Sequence, residues 1–155
     1  MIHAKENDFD VVKEIFSQHK QWFPHVRQDY IKRMIASGNL ILDNDVIITY
    51  NYYKRKQRIG TITAQQGDCI LHQIAAKNQG DGSSKRIFER FVEYNKGRDI
   101  VLSVRSDNDR AIQFYKKNGF IKVSDIEWGK TNQVKGEVYL LEQKPLYRYK
   151  ENSFV

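Results

Sequence analysis

The segment Gln79-Gly80-Asp81-Gly82-Ser83-Ser84 lies between an apolar run, Ile70 to Ala76, and a stretch carrying Ile87, Phe88, Phe91 and Val92 at helical spacing. A glycine-rich turn that opens a helix is built to hold an anion. Its unpaired backbone N–H groups and the helix dipole both favour negative charge. Glycine also lets the backbone approach a ligand with no Cβ in the way. Lys77, Lys85 and Arg86 stand close enough in sequence to add charge there. A second segment runs from Asn108 to Phe120, reading Asn-Asp-Arg-Ala-Ile-Gln-Phe-Tyr-Lys-Lys-Asn-Gly-Phe. Asn108, Ala111 and Tyr115 fall at i, i+3 and i+7, so an amide, a methyl and a phenol share one helix face.

Taken together, the two segments resemble the acetyl-CoA-binding core of the GCN5-related N-acetyltransferase (GNAT) superfamily. Gln79, Gly82 and Ser84 fall on that family's glycine loop, Gln/Arg-x-x-Gly-x-Gly/Ala, with Ser84 a small residue in place of Gly or Ala. Asn108, Ala111, Tyr115, Gly119 and Phe120 match its second segment, Asn-x-x-Ala-x-x-x-Tyr-x-x-x-Gly-Phe. The resemblance extends from about Cys69 to Glu142.

The resemblance implies an α/β fold with a central, splayed mixed sheet flanked by helices, and acetyl-CoA as co-substrate. It implies that the strand ending near Ala76 parts from the strand beginning at Ile100. Pantetheine amides then pair with Ile74, Ala75 and Ala76, where a backbone N–H polarises the thioester carbonyl. Gln79, Gly80, Asp81, Gly82, Ser83 and Ser84 take the pyrophosphate, the Asn108 side chain contacts the cofactor, and Tyr115 meets the departing sulfur. Direct attack by a primary amine follows, with orientation supplying much of the rate. A phenol near 10 and a thiol near 8.5 make full proton transfer uphill by about 2 kcal/mol, so Tyr115 acts first as a hydrogen-bond donor. Arg110, Lys116 and Lys117 are the neighbours expected to lower its pKa.

Many relatives place a glutamate on the strand that carries the thioester. Here no carboxylate lies between Cys69 and Asn78. His72 is the candidate base, since an imidazole titrates near neutrality; a packed structural histidine is the competing reading. Gln73 could position water or substrate, and strand alternation sends it to the face opposite His72. Nothing in sequence pairs Cys69 with a base, and His3, His19, His25 and His72 lack metal-ligand spacing, so no metal is expected. Trp22, Phe23 and Tyr52 are candidate walls of the acceptor groove. Tyr50-Asn51-Tyr52-Tyr53-Lys54-Arg55-Lys56 sets aromatics beside cations, as a nucleic-acid surface would, though strand tyrosines and a Lys-rich turn are also ordinary sheet architecture. The acceptor amine is thus open between a small molecule and a protein, with two alternatives: a non-catalytic module of the same fold that binds nucleic acid through this surface, or an acetyltransferase acting on a nucleic-acid-associated amine.

The elements that must position these groups follow from periodicity. A short strand at 2–5 precedes a helix from Asp8 or Asp10 to His19, with Phe9, Val12, Ile15 and Phe16 on one face. A second helix carries Tyr30, Ile31, Met34 and Ile35 and stops at Gly38. β-rich stretches cover Leu40 to Tyr53, turning at Asn44-Asp45, and Arg58 to Gln65; Gly67-Asp68 leads into the strand Cys69 to Ala76. Ser83 or Ser84 caps the helix after the glycine loop. Strands at 99–106, 120–128 and 137–142 complete the order β-α-α-β-β-β-α-β-α-β-β.

At 155 residues the chain forms one domain, placed at 1–145, with a basic and aromatic tail at 146–155. The net charge of +7 is uneven: −1 over residues 1–50, +5 over 51–100 and +3 over 101–155. A phosphate-rich cofactor accounts for part of this excess. A single cysteine and the lack of a long apolar run or a signal-like N-terminus fit a cytoplasmic protein with no membrane contact. A homodimer is a further expectation, by analogy with relatives.

Overall fold

The structure, a computed structural model, describes residues 1–131 and 133–144. The tail expected at 146–155 lies outside the described residues. Among these, four α-helices enclose a six-stranded mixed sheet, with a two-stranded hairpin beside it. The helices are α1 (Phe9–Ser17), α2 (Gln28–Ala36), α3 (Ser83–Tyr94) and α4 (Asp109–Lys117). The strands are β1 (Leu40–Asp43), β2 (Val46–Tyr52), β3 (Gln57–Ile59), β4 (Ile62–Ala64), β5 (Cys69–Ala76), β6 (Ile100–Arg105), β7 (Ile121–Trp128) and β8 (Val134–Leu141). The large sheet runs β1-β2-β5-β6-β8-β7, and only β5 and β6 are parallel.

Helix faces follow the spacing of apolar residues. Val12, Ile15 and Phe16 of α1 join Ile31 and Met34 of α2 in a cluster on one face of the sheet. Ile87, Phe88 and Phe91 of α3 join Ile112 and Tyr115 of α4 on the other. Asn44 and Asp45 take φ of +49° and +59°, the two-residue left-handed turn that matches strand twist.

Several expectations are corrected. The N-terminal strand reduces to a single bridge, His3 to Ile41, because the Lys5 N–H donates to Asp8 and a 3-10 turn begins at Glu6. The stretch 58–65 is not one strand but a hairpin, reversed at Gly60 with φ +57°. α3 is capped by Gly82 rather than by a serine. Tyr50 and Tyr53 of the aromatic-basic stretch are buried, and the half-buried Tyr52 donates its hydroxyl to Asn95 at 2.8 Å. Those rings serve the core, so no stacking face for bases forms there.

The decisive irregularity lies in β5. Its pairing with β2 runs Thr49↔Gln73 and then Tyr50↔Leu71, so His72 is an extra residue, a β-bulge. Before it, Cys69 and Leu71 face the α3/α4 core; after it, Ile74 and Ala76 do. A bulge bends its strand and increases twist. Pairing with β6 correspondingly ends at Leu71↔Leu102, while β6 stays paired with β8 through Arg105↔Gly136. The sheet is split from His72 onward.

Candidate active site

The split opens a cleft of about 790 Å³ between β5 and β6. The Lys77 N–H bonds the Asp45 carbonyl, so in the antiparallel ladder Ala75 also directs its peptide groups at β2. Ile74 and Ala76 between them aim theirs at the opening. That is an unpaired edge on which a ligand's amides can be laid. His19, from the turn after α1, already reaches it, with Nε2 donating to the Ala76 carbonyl at 2.9 Å. Its pairing also fixes the ring, since a carbonyl can only accept.

At the far end of β5 stands the glycine loop. Gly80 and Gly82 take φ of +83° and +82°, the left-handed region where a side chain is strained. Gln79, Gly80, Gly82, Ser84 and Lys85 all line the cleft. Asp81 and Ser83 do not. The Asp81 carboxylate accepts from the Ser83 N–H at 2.9 Å and from its hydroxyl, and these bonds hold its pKa below the usual value. Asp81 and Ser83 therefore shape the turn, and the Ser83 N–H is already occupied.

α4 meets the cleft with the face expected of it: Asn108, Ala111 and Tyr115 all line it. Asn108 caps the helix, its Oδ1 accepting from the Ala111 N–H at 3.2 Å, while its amide Nδ2 has no hydrogen-bond partner among the described residues. Tyr115 is held among Phe88, Phe114 and Phe120, with ring centroids 5.7 to 6.4 Å away. Burial pushes its pKa well above 10, with no contribution from Arg110, Lys116 or Lys117. The expected lowering is thus corrected. Its hydroxyl makes no hydrogen bond among the described residues, although the side chain is only 6 % exposed.

The bulge changes the relation of His72 and Gln73. His72 Nε2 accepts from Asn51 Nδ2 at 3.1 Å, and Gln73 accepts from Thr49 and from Tyr30, the latter at 2.9 Å. Asn51 and Thr49 share a face of β2, so His72 and Gln73 share one too, not opposite ones. His72 is exposed to solvent at the cleft, yet the groups packed around its ring desolvate it enough to lower its pKa.

Trp22 and Phe23 line the cleft, as do His25 and Trp128. Tyr52 is absent from it, packed at the opposite end of β5 with Arg98 over its ring at 4.5 Å. Sequence reasoning missed His19, Arg105 and Trp128. The cue for Trp128 was Gly136, whose own β-carbon would collide with the indole and stand 2.9 Å from the Val104 carbonyl oxygen. Cys69 is fully buried and its thiol is pushed up to about 12. Among the described residues no cluster of His, Cys, Asp or Glu could hold a metal.

No family model matches the chain, and no curated protein does. Solved structures match along nearly its whole length. A GNAT-family acetyltransferase from Bacillus cereus is 17% identical, with a TM-score of 0.68 over 92% of this chain and 96% of that one. NAA60 from Arabidopsis thaliana, bound to a bisubstrate analogue, is 16% identical, with a TM-score of 0.65 over 90% and 94%. The ribosomal-protein-S18-alanine N-acetyltransferase of Escherichia coli is 14% identical, with a TM-score of 0.60 over 92% of each chain.

Proposed function

We propose that this chain, which has the fold of the GNAT acetyltransferases, is itself an N-acetyltransferase that moves an acetyl group from acetyl-CoA to a primary amine. The observation that carries the reading is a convergence in one cleft. The edge at Ile74 and Ala76 that no strand covers, the left-handed loop at Gly80 and Gly82, and the buried phenol of Tyr115 all open onto it. Structures with a similar fold hold acetyl-CoA or CoA with a peptide, which supports the same use here.

Bound acetyl-CoA would lay its pantetheine along the β5 edge, its pyrophosphate at the start of α3 and its thioester beside Tyr115. A neutral amine attacks the carbonyl carbon. The N–C bond forms, and the developing oxyanion is held by a backbone N–H of the edge. The C–S bond then breaks and its electron pair leaves on sulfur, toward which the Tyr115 hydroxyl donates. The proton shed by nitrogen balances the one taken up by the thiolate. Because burial strengthens the hold of Tyr115 on its proton, it serves as a donor to the sulfur rather than a source of free protons.

His72 is the proposed proton acceptor, with one condition set by its surroundings. Asn51 already donates into Nε2, so the amine or a bridging water must replace that contact. Among the described residues, no carboxylate lines the cleft. Freeing a lysine-like amine of its proton at pH 7 costs about 4.6 kcal/mol, against roughly 1.4 kcal/mol for an α-amine with a pKa near 8. A site without a carboxylate base fits the weaker base.

Thermal unfolding with saturating acetyl-CoA tests the reading. Ligand at about 100 times its Kd adds roughly 2.7 kcal/mol, a rise of about 5 to 10 °C in Tm for a domain of this size. Gly82→Glu, which fills the loop with a side chain and a negative charge, is expected to remove the rise. An unchanged Tm in the wild type refutes the reading.

A further inference from the structure

We infer that the acceptor is an amine carrying its own carboxylate or phosphate a few bonds away, docked on Arg105 between Trp22 and Trp128. The inference rests on the acetyl-transfer reading of the cleft. Val104 belongs to the core beneath α3 and α4, so Ser103 and Arg105 on either side of it point to the opposite face of the sheet. That face carries Phe23 of the α1–α2 connection. The cofactor groups and Arg105 therefore approach the split from opposite sides.

Three contacts build the pocket. The Arg105 guanidinium lies 5.9 Å from the Trp22 ring centroid, a cation–π distance. Asp107 accepts from Nε and Nη2, both at 3.0 Å, which fixes the guanidinium plane. A guanidinium has five N–H donors, so the edge formed by Nη1 and the second Nη2 hydrogen stays open, in the fork geometry that suits a carboxylate or phosphate. Gly136 is directly opposite Arg105 on β8. Directly paired residues share a face, and the Trp128 indole fills the space that a side chain of Gly136 would take. Trp128 is thus placed over β8 on the face that carries Arg105. Both tryptophans of the chain stand in this one pocket.

Charge sets the class of ligand. No Asp or Glu lines the cleft among the described residues, whereas Lys85, Arg105 and Arg110 do. Lys85 and Arg110 stand at the starts of α3 and α4, the helices that pack on the face opposite Arg105, which leaves Arg105 as the cation of the acceptor face. Asp107 is held by Arg105 through two bonds, so among the described residues a polycationic acceptor finds no free carboxylate in the lining. Register sets the reach: Arg105 is three positions beyond Leu102 and, with the bulged His72 left out of the count, Ala75 is three beyond Leu71, so Ile74 and Ala76 stand one position to either side of that level. The docked anion is therefore level with the edge where the thioester is read to lie, so amine and acid belong to the same small fragment.

The test is acetyl transfer, followed by CoA thiol release, across the twenty amino acids, their amides and decarboxylated amines, and O-phosphoethanolamine against ethanolamine. The best acceptor is expected to bear an acid and to exceed its uncharged counterpart at least tenfold in kcat/KM. Whether that acid is a carboxylate or a phosphate is decided by the two arms. R105Q is expected to abolish the preference through KM, with kcat and acetyl-CoA affinity nearly unchanged, and R105K to restore part of it. A neutral or cationic amine as best acceptor overturns the inference, as does an equal effect of R105Q on both members of a pair, or acetyl-CoA binding with no amine acetylated. Should acetyl-CoA fail to bind, the acetyl-transfer reading falls separately. Tryptophan fluorescence quenched by acid-bearing amines in the wild type and not in R105Q would then sustain the docking site, and no quenching would overturn it.

Discussion

Tyr115 keeps its proton because Phe88, Phe114 and Phe120 wall its ring from water while its hydroxyl has no partner among the described residues. An unpaired hydroxyl at the floor of a cleft is a donor waiting for an acceptor, and a developing thiolate supplies one. Tyr115→Phe removes only that oxygen and leaves the packing intact. Its expected effect is a fall in kcat of about 10²-fold with acetyl-CoA affinity changed less than about twofold, read by steady-state kinetics and calorimetry. Since the pKa is raised, no basic limb belonging to Tyr115 should enter the rate profile below pH 10. Cys69 marks the opposite case. Its thiol is buried and pushed up to about 12, so thiolate is scarce and access is closed. A thiol reagent should label none of the native protein within minutes and one equivalent once it is unfolded. Rapid labelling of the native chain would contradict this burial.

At the scale of elements, the bulge at His72 creates the opening and the glycine at 136 seats Trp128 beside it, and the features of the site differ in how far the sequence shows them. The face of α4 was legible because i, i+3 and i+7 are local, and the loop at Gly80 and Gly82 because glycine announces a left-handed backbone. The bulge was not legible: it is a relation between β2 and β5, and alternation read along one strand put His72 and Gln73 on the wrong faces. Arg105, Trp22 and Trp128 come from three separate segments joined only by sheet order, so no spacing links them. Gly136 offers a direct test of that junction. A methyl there meets the Trp128 ring and the Val104 carbonyl. Gly136→Ala is expected to destabilise the fold by about 1 to 3 kcal/mol, the usual range for overpacking, and to shift tryptophan emission to the red as the indole is displaced. A melt and a spectrum identical to wild type would mean that β7 and β8 yield without moving Trp128.

For the whole molecule, the arrangement of charge and burial makes stability depend on pH in a fixed direction. His3 and His72 sit at separate places on the sheet, one bonded to the Tyr50 hydroxyl at 2.7 Å and the other to Asn51 at 3.1 Å. Desolvation lowers the pKa of both, helped at His3 by the N-terminal charge. A histidine with a depressed native pKa binds fewer protons folded than unfolded, so stability rises with pH across the interval between the two values. The contribution of each is complete above the ordinary value of 6.5 and is lost as pH falls through the lowered native value. Tm is therefore expected to drop on going from pH 7.5 to pH 5. The paired substitution of His3 and His72 by Gln should flatten that part of the profile while leaving the steeper acid loss, where carboxylates such as Asp81 and Asp107 with lowered pKa protonate. A Tm that holds or climbs between pH 7.5 and pH 5 in the wild type would show that protonated imidazoles are accommodated in the folded chain. In that case Asn51 must turn its carbonyl to His72, and the neutral ring required of a proton acceptor is not the form the native state selects.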